Sequence, residues 1–125
     1  MWNVLVVDDD PDSCRALMLL VRQLEYGAAC VESGPEALRV LHERPAELVF
    51  LDWMMPDMNG RQVLEAIRSD QVSVVVFTAL SDPVVRDEAL QAGAQDFVVK
   101  GHFDEALAAV RKYVGAARGS DGGIQ

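Results

Sequence analysis

A chain of 125 residues, half of them apolar, is long enough for one domain with a real core and too short for two. Its 11 Lys and Arg against 20 Asp and Glu give a formal net charge of −9, which argues against direct nucleic-acid binding and suits cations or basic partner patches. No apolar run approaches the ~20 residues that span a bilayer. The first apolar run meets three aspartates at once, unlike a signal peptide, and Cys14 and Cys30 lack any CxxC or His-rich spacing. The cysteines therefore read as small packing side chains in a reducing compartment, with the cytoplasm the expected location and neither zinc nor membrane implied.

The pattern along the chain is β-α repeated five times. Asn3 to Val7 is the first strand. Asp10 as N-cap and Pro11 at the first helical position open helix one, whose apolar positions Cys14, Leu17, Met18, Val21 and Leu24 fall at helical spacing, with Gly27 as its end. Ala28 to Val31 is a short strand. Ser33-Gly34-Pro35-Glu36 reads as a capping box for helix two, with Ala37, Leu38 and Leu41 inward and Pro45 as the stop. Glu47 to Leu51 is a central strand, apolar from Leu48 onward. A loop from Asp52 to Gly60 leads to helix three, with Val63, Leu64 and Ile67 inward.

Val72 to Phe77 is another buried strand. Asp82-Pro83 repeats the cap-plus-proline device for helix four, which closes at Gly93. Asp96 to Val99 is the last strand, and helix five turns Phe103, Leu107, Val110 and Val114 to one side. Gly and Ser become frequent from Gly115 onward, so the end is expected to fray. Right-handed β-α-β crossovers limit the topology, and the expected fold is a flavodoxin-like (βα)5 with a central parallel sheet in order 2-1-3-4-5 and helices on both faces.

Four of these runs end in groups that carry chemistry. Val4-Leu5-Val6-Val7 meets Asp8-Asp9-Asp10, Leu48-Val49-Phe50-Leu51 meets Asp52, Val74-Val75-Val76-Phe77 meets Thr78, and Phe97-Val98-Val99 meets Lys100. A parallel sheet gathers such residues beyond the carboxyl ends of its strands. The expected strand order puts Asp8 and Asp9 beside Asp52. Two carboxylates ~4 Å apart repel by roughly 4 kcal/mol at an effective dielectric of 20, so the cluster needs a counter-charge. Mg²⁺ suits it, being a hard cation that takes carboxylates, waters and phosphate oxygens.

With these motifs, Val-Val-Asp8-Asp9-Asp10-Pro11, Leu51-Asp52-Trp53-Met54-Met55-Pro56-Asp57-Met58-Asn59-Gly60, Phe77-Thr78-Ala79 and Phe97-Val98-Val99-Lys100, the chain resembles the receiver domain of bacterial two-component response regulators. The resemblance implies a receiver over residues 1–117, and the Gly- and Ser-rich end leaves an expected flexible tail over 118–125. It implies that Asp52 accepts a phosphoryl group from a histidine kinase or phosphotransfer protein. It implies Asp8, Asp9, Asp52 and the Met54 carbonyl as Mg²⁺ ligands, Lys100 as partner of a phosphoryl oxygen, and Thr78 and Phe97 as the switch pair. The signal would leave through helix four, strand five and helix five, toward a downstream target protein or an output domain absent from these residues. Such a protein helps its own modification but is not an enzyme in the ordinary sense.

Two departures carry expectations. Gly101 follows Lys100 where many receivers have proline, and a cis bond before a non-proline residue costs ~2.5–4 kcal/mol, so a trans bond is expected. Met54 and Leu80, two beyond Asp52 and Thr78, flank the route of the hydrolytic water in this family. Both are apolar here and cannot orient a water, so a long phosphoryl lifetime is expected. Asp10 reads as a cap rather than a ligand, the methionines as packing, His42 and His102 as exposed, and Trp53 as a neighbour of the site. Two competing readings remain: a Mg²⁺-dependent phosphatase of the haloacid-dehalogenase type acting through Asp8 and Asp10, and a degenerate receiver serving only as a binding module.

Overall fold

The computed structural model describes residues 2–56, 58–67 and 72–122, with side chains placed for 3–114 within those ranges. Strands and helices alternate as β1 (Trp2–Val7), α1 (Pro11–Gln23), β2 (Ala28–Val31), α2 (Gly34–Glu43), β3 (Ala46–Leu51), α3 (Gly60–Ile67), β4 (Ser73–Thr78), α4 (Pro83–Gln91), β5 (Asp96–Val99) and α5 (Phe103–Gly122). All pairings are parallel and the sheet order is β2-β1-β3-β4-β5, the flavodoxin-like arrangement expected.

Side chains alternate across each strand, so every central strand feeds two cores. Val4, Val6, Leu48, Phe50, Val75 and Phe77 pack with Cys14, Leu17 and Val21 of α1 and with Ala106, Val110 and Val114 of α5. Leu5, Val7, Val49, Leu51, Val74 and Val76 pack on the other side with Ala37, Val63, Leu64 and Ala89. Phe50 and Phe77 meet edge-to-face with centroids 6.0 Å apart, and Phe77 leans on Phe103 at 5.9 Å. Burial is uneven among the helices. In α4 only Ala89 is fully buried, and Val84 is 69% exposed.

The caps form as their residue types dictate. Asp10 accepts from the Asp12 N–H, Ser33 from the Glu36 N–H and Asp82 from the Val84 N–H, at 3.1, 3.2 and 2.8 Å. Each contributes about 1 kcal/mol. Two local expectations are corrected. Helix α1 stops at Gln23 rather than at Gly27, because the N–H groups of Leu24 and Glu25 turn back onto the Val21 and Arg22 carbonyls at 3.0 and 2.8 Å. Glu25 takes the left-handed conformation, with φ of 70°. Gly27 instead serves the sheet edge, where its carbonyl accepts from the N–H groups of Asn3 and Val4 at 3.1 and 3.0 Å. The capping box is also displaced by one residue, since the Glu36 carboxylate accepts from the Glu32 N–H at 3.2 Å and not from Ser33.

Among the described residues no peptide bond is cis, so Lys100-Gly101 is trans as expected, with Gly101 at φ of 100°. The α5 backbone continues to Gly122, within the segment 118–125 expected to form the tail. Residues 123–125 of that tail lie outside the described residues, as does Asp57 of the loop motif.

Candidate functional site

Backbone hydrogen bonds carry the sheet ladder one residue beyond the strands and thereby aim the polar groups. The Asp8 N–H donates to Val31 at 3.1 Å, the Asp52 N–H to Val7 at 2.9 Å and the Lys100 N–H to Thr78 at 2.8 Å. Asp8, Asp52, Thr78 and Lys100 thus emerge side by side at the carboxyl edge of β1, β3, β4 and β5. Asp8, Asp52 and Thr78 are buried, with 2%, 6% and 1% exposure, and they are the only polar residues in that class among those described. Asp9 is exposed at the rim.

Asp8, Asp9 and Asp52 each offer a carboxylate oxygen, and these three atoms lie within 4.8 Å of one another. The Lys100 ammonium enters between two of them, 2.6 Å from Asp8 Oδ2 and 3.3 Å from Asp52 Oδ2. The other Asp52 oxygen, Oδ1, accepts from the Met54 N–H at 3.4 Å, and the Thr78 hydroxyl also faces the Asp52 carboxylate. Asp8 Oδ1 accepts from the Asp10 N–H at 3.0 Å. Asp10 itself is exposed and occupied in capping α1, as expected for a cap rather than a ligand.

The electrostatics follow from this crowding. Burial pushes the Asp52 carboxyl above its usual range; Lys100 opposes that rise and the Asp8 charge adds to it. Partial burial works against the Lys100 ammonium, but its hydrogen bond to Asp8 and the attraction of Asp52 outweigh it and raise its pKa. Excess negative charge is therefore gathered around a single amine. Oxygen donors close enough to share one hard cation fit Mg²⁺ or a similar ion.

The response regulator receiver domain family model matches residues 4–111. The chain belongs to that family. As a receiver domain it is 39% identical over 116 residues to the transcriptional regulatory protein KdpE of Mycobacterium tuberculosis, covering 91% of this chain and 51% of that protein. It is 38% identical over 99 residues to the DNA-binding response regulator MtrA of Mycolicibacterium smegmatis, covering 78% of this chain and 43% of that one. The chain thus spans about half the length of these curated relatives. Among solved structures, a response regulator receiver protein from Burkholderia phymatum superposes with a TM-score of 0.80 at 35% identity, over 90% of this chain and 94% of that one.

Other expected residues fall as follows. Met54 is exposed and Leu80 half-buried, and the Met54 N–H donates to Asp52. The Thr78 hydroxyl accepts from the Leu80 N–H at 3.5 Å. Phe97, on β5, is half-buried and lines a groove of about 250 Å³ with Asp96, Val98, Glu105, Ala108, Ala109 and Lys112. His42 and His102 are exposed, but His102 has a partner, Glu105, 3.0 Å away, whose hydrogen bond raises the imidazole pKa. Cys14 and Cys30 are not independent. Cys14 donates to the Val6 and Val31 carbonyls at 3.4 Å, and burial, reinforced by the neighbouring Cys30, raises its pKa well above that of an ordinary thiol. The inert packing role expected of Cys14 is consistent with that environment. Among the described residues no helix is long and apolar enough to cross a membrane.

Two features had no usable sequence signal. The indole N–H of buried Trp53 donates to Glu88 of α4 at 3.3 Å. Gly60 is packed so tightly that a Cβ there would sit 2.7 Å from both the Asp52 carbonyl oxygen and the Trp53 Cα. The Asn59-Gly60 pair advertises a turn, but not this approach to the backbone of the acidic loop.

Proposed function

We propose that this receiver domain is a phosphorylation-dependent switch in which Asp52 accepts a phosphoryl group from a histidine kinase or phosphotransfer protein. The observation that carries the reading is the position of Lys100, held by Asp8 and already 3.3 Å from the Asp52 oxygen that would remain beside the incoming group. An Asp52 carboxylate oxygen attacks phosphorus, the O–P bond forms as the donor's N–P bond breaks, and the departing imidazole nitrogen keeps the electron pair. In such transfers catalysis is mostly positioning and stabilisation of charge on the equatorial oxygens. Asp8, Asp9, Asp52 and the Met54 carbonyl would hold Mg²⁺, which when bound supplies positive charge to the phosphoryl oxygens. Lys100 supplies a second positive charge, and the Thr78 hydroxyl a hydrogen bond.

Phosphorylation then changes local charge and hydrogen bonding, biasing Thr78 and Phe97 between two arrangements and altering the α4-β5-α5 face. The groove beside Phe97 lies on that face. The names of KdpE and MtrA favour an output that regulates transcription, through a target protein or an output domain outside this chain. The acidic balance of this chain disfavours its own contact with DNA. A cytoplasmic location fits this partner set. The phosphatase reading has less support, because Asp10 is committed to the α1 cap instead of facing Asp8 as an acid.

Beryllofluoride, a phosphoryl mimic, together with Mg²⁺ is expected to shift the amide resonances of Thr78, Phe97 and α4, with neither reagent sufficient alone. No shift at Thr78 or α4 would contradict the switch. Mg²⁺ alone should stabilise the fold. A ligand at 100 times its dissociation constant contributes about 2.7 kcal/mol, which a thermal melt would register as a rise of several degrees; an unchanged melting temperature would count against metal binding. Replacing Met54 with Asn and Leu80 with Gln should hasten loss of the phosphoryl group by about tenfold, by giving the attacking water hydrogen-bond partners. The decay of radiolabel on the purified phosphoprotein measures it, and an unaltered rate would remove these residues from the account.

A further inference from the structure

A polar chain joins the loop after Asp52 to α4, away from the acidic pocket. Trp53 is 4% exposed, and its indole N–H donates to Glu88 Oε1 at 3.3 Å. Glu88 Oε2 lies 4.0 Å from Arg61 Nη1, and Arg61 Nε is in turn 3.3 Å from Glu65. The Trp53 carbonyl accepts from the Gly60 N–H at 2.9 Å, and the bare face of Gly60 rests on the Asp52 and Trp53 backbone. The indole is therefore fixed from below by α3 and pointed outward at α4.

Helix α4 has little else to hold it. Ala89 is its one fully buried residue, Val85 is partly buried, and Val84 and Leu90 are exposed. A buried indole N–H must keep an acceptor, and Glu88 provides it only while α4 stays in its present position. The Arg61 contact is half-exposed on both sides, so it steadies the carboxylate without contributing much by itself.

We propose that Trp53 and Glu88 form a latch that holds α4 against the acceptor loop in the unphosphorylated protein, and that the change at Asp52 reaches α4 by loading this latch. The second half rests on the proposed receiver function. Glu88 is thus a positioning residue acting through Trp53. Coupling between sites is reciprocal: if the latch favours the resting placement of α4, opening it must favour the phosphoryl-bound state.

The test is hydrogen exchange by NMR on the whole chain without metal. Glu88→Ala should displace the Trp53 indole N–H resonance and speed exchange of the α4 amides about fivefold, the worth of one net hydrogen bond, while α1 is unaffected. Glu88→Gln, which retains an acceptor oxygen, should recover most of the protection. Trp53→Phe should loosen α4 to a similar degree, and the double variant should add little more, since both changes remove one interaction. An unmoved indole resonance, or α4 exchange within twofold of the parent in Glu88→Ala, overturns the latch; that variant is on the surface and decides the question even if Trp53→Phe fails to fold. In a second arm, Glu88→Ala should bind Mg²⁺ and beryllofluoride about fivefold more tightly than the parent. Equal affinity overturns the link to Asp52. If the parent itself ignores beryllofluoride, the receiver function fails, while the metal-free exchange still decides the latch.

Discussion

Lys100→Ala is expected to lower the stability of the metal-free protein by about 3 kcal/mol, because removing one partner of a buried ion pair leaves charge uncompensated. Asp8 and Asp52 are 2% and 7% exposed at the side chain, and Lys100 Nζ contacts both. Solvent cannot replace the ammonium there without opening the pocket. For a domain of this size the loss corresponds to roughly 10 °C in thermal midpoint. Mg²⁺ should restore much of it, since the cation supplies positive charge to the same oxygens, so the gap between variant and parent should narrow as Mg²⁺ is added. Melts across a Mg²⁺ titration measure this. A variant as stable as the parent without metal would mean that the three acids do not repel in the way their geometry implies.

Asp52→Asn should have the opposite effect on stability and a larger one on activity. Burial raises the Asp52 pKa in the folded state above its unfolded value of 3.8, with Lys100 only partly offsetting the rise. At a pH below the unfolded value the group is neutral in both states and costs nothing. As pH rises through the unfolded and then the folded pKa, the unfolded chain ionises first, so the parent loses stability across that window and the loss stays constant above it. The Asn variant has no carboxyl to ionise and escapes this loss. Its stability relative to the parent should therefore grow with pH over that interval and then level off. Urea unfolding at a series of pH values checks this, and a difference that shrinks with rising pH would contradict it. Phosphoryl transfer, by contrast, should vanish, because the amide is not a nucleophile and leaves no acyl phosphate to form.

The sequence was informative where function depends on backbone topology. Parallel β-α alternation places the residue after each strand at one edge. Asp8, Asp52, Thr78 and Lys100 thus gather from distant segments by alternation alone, whereas the strand order needs the flavodoxin-like pattern as well. Caps at Asp10, Ser33 and Asp82 were equally readable, because each is a contact within a few residues. What stayed hidden depends on how helices sit on the sheet. Nothing about Glu88, one acid on an exposed helix, marks it as the partner of Trp53. The contact between Cys14 and Cys30 needs α1 laid across the β1-β2 seam. The end of α1 was misplaced for a related reason: Gly27 is the obvious stop, but Arg22 reaches forward to the Ala28 carbonyl at 3.0 Å and the chain turns earlier, through Glu25. Gly27 had a role in the sheet that the local pattern could not announce.

The most direct measurement is to incubate the purified chain with acetyl phosphate, with and without Mg²⁺, and to locate any acyl phosphate by peptide mass spectrometry. One phosphoryl group on Asp52, dependent on Mg²⁺ and absent from the Asp52→Asn chain, is the expected result. A label on another residue, or the same labelling of Asp52 when Mg²⁺ is removed by chelation, would contradict the central claim.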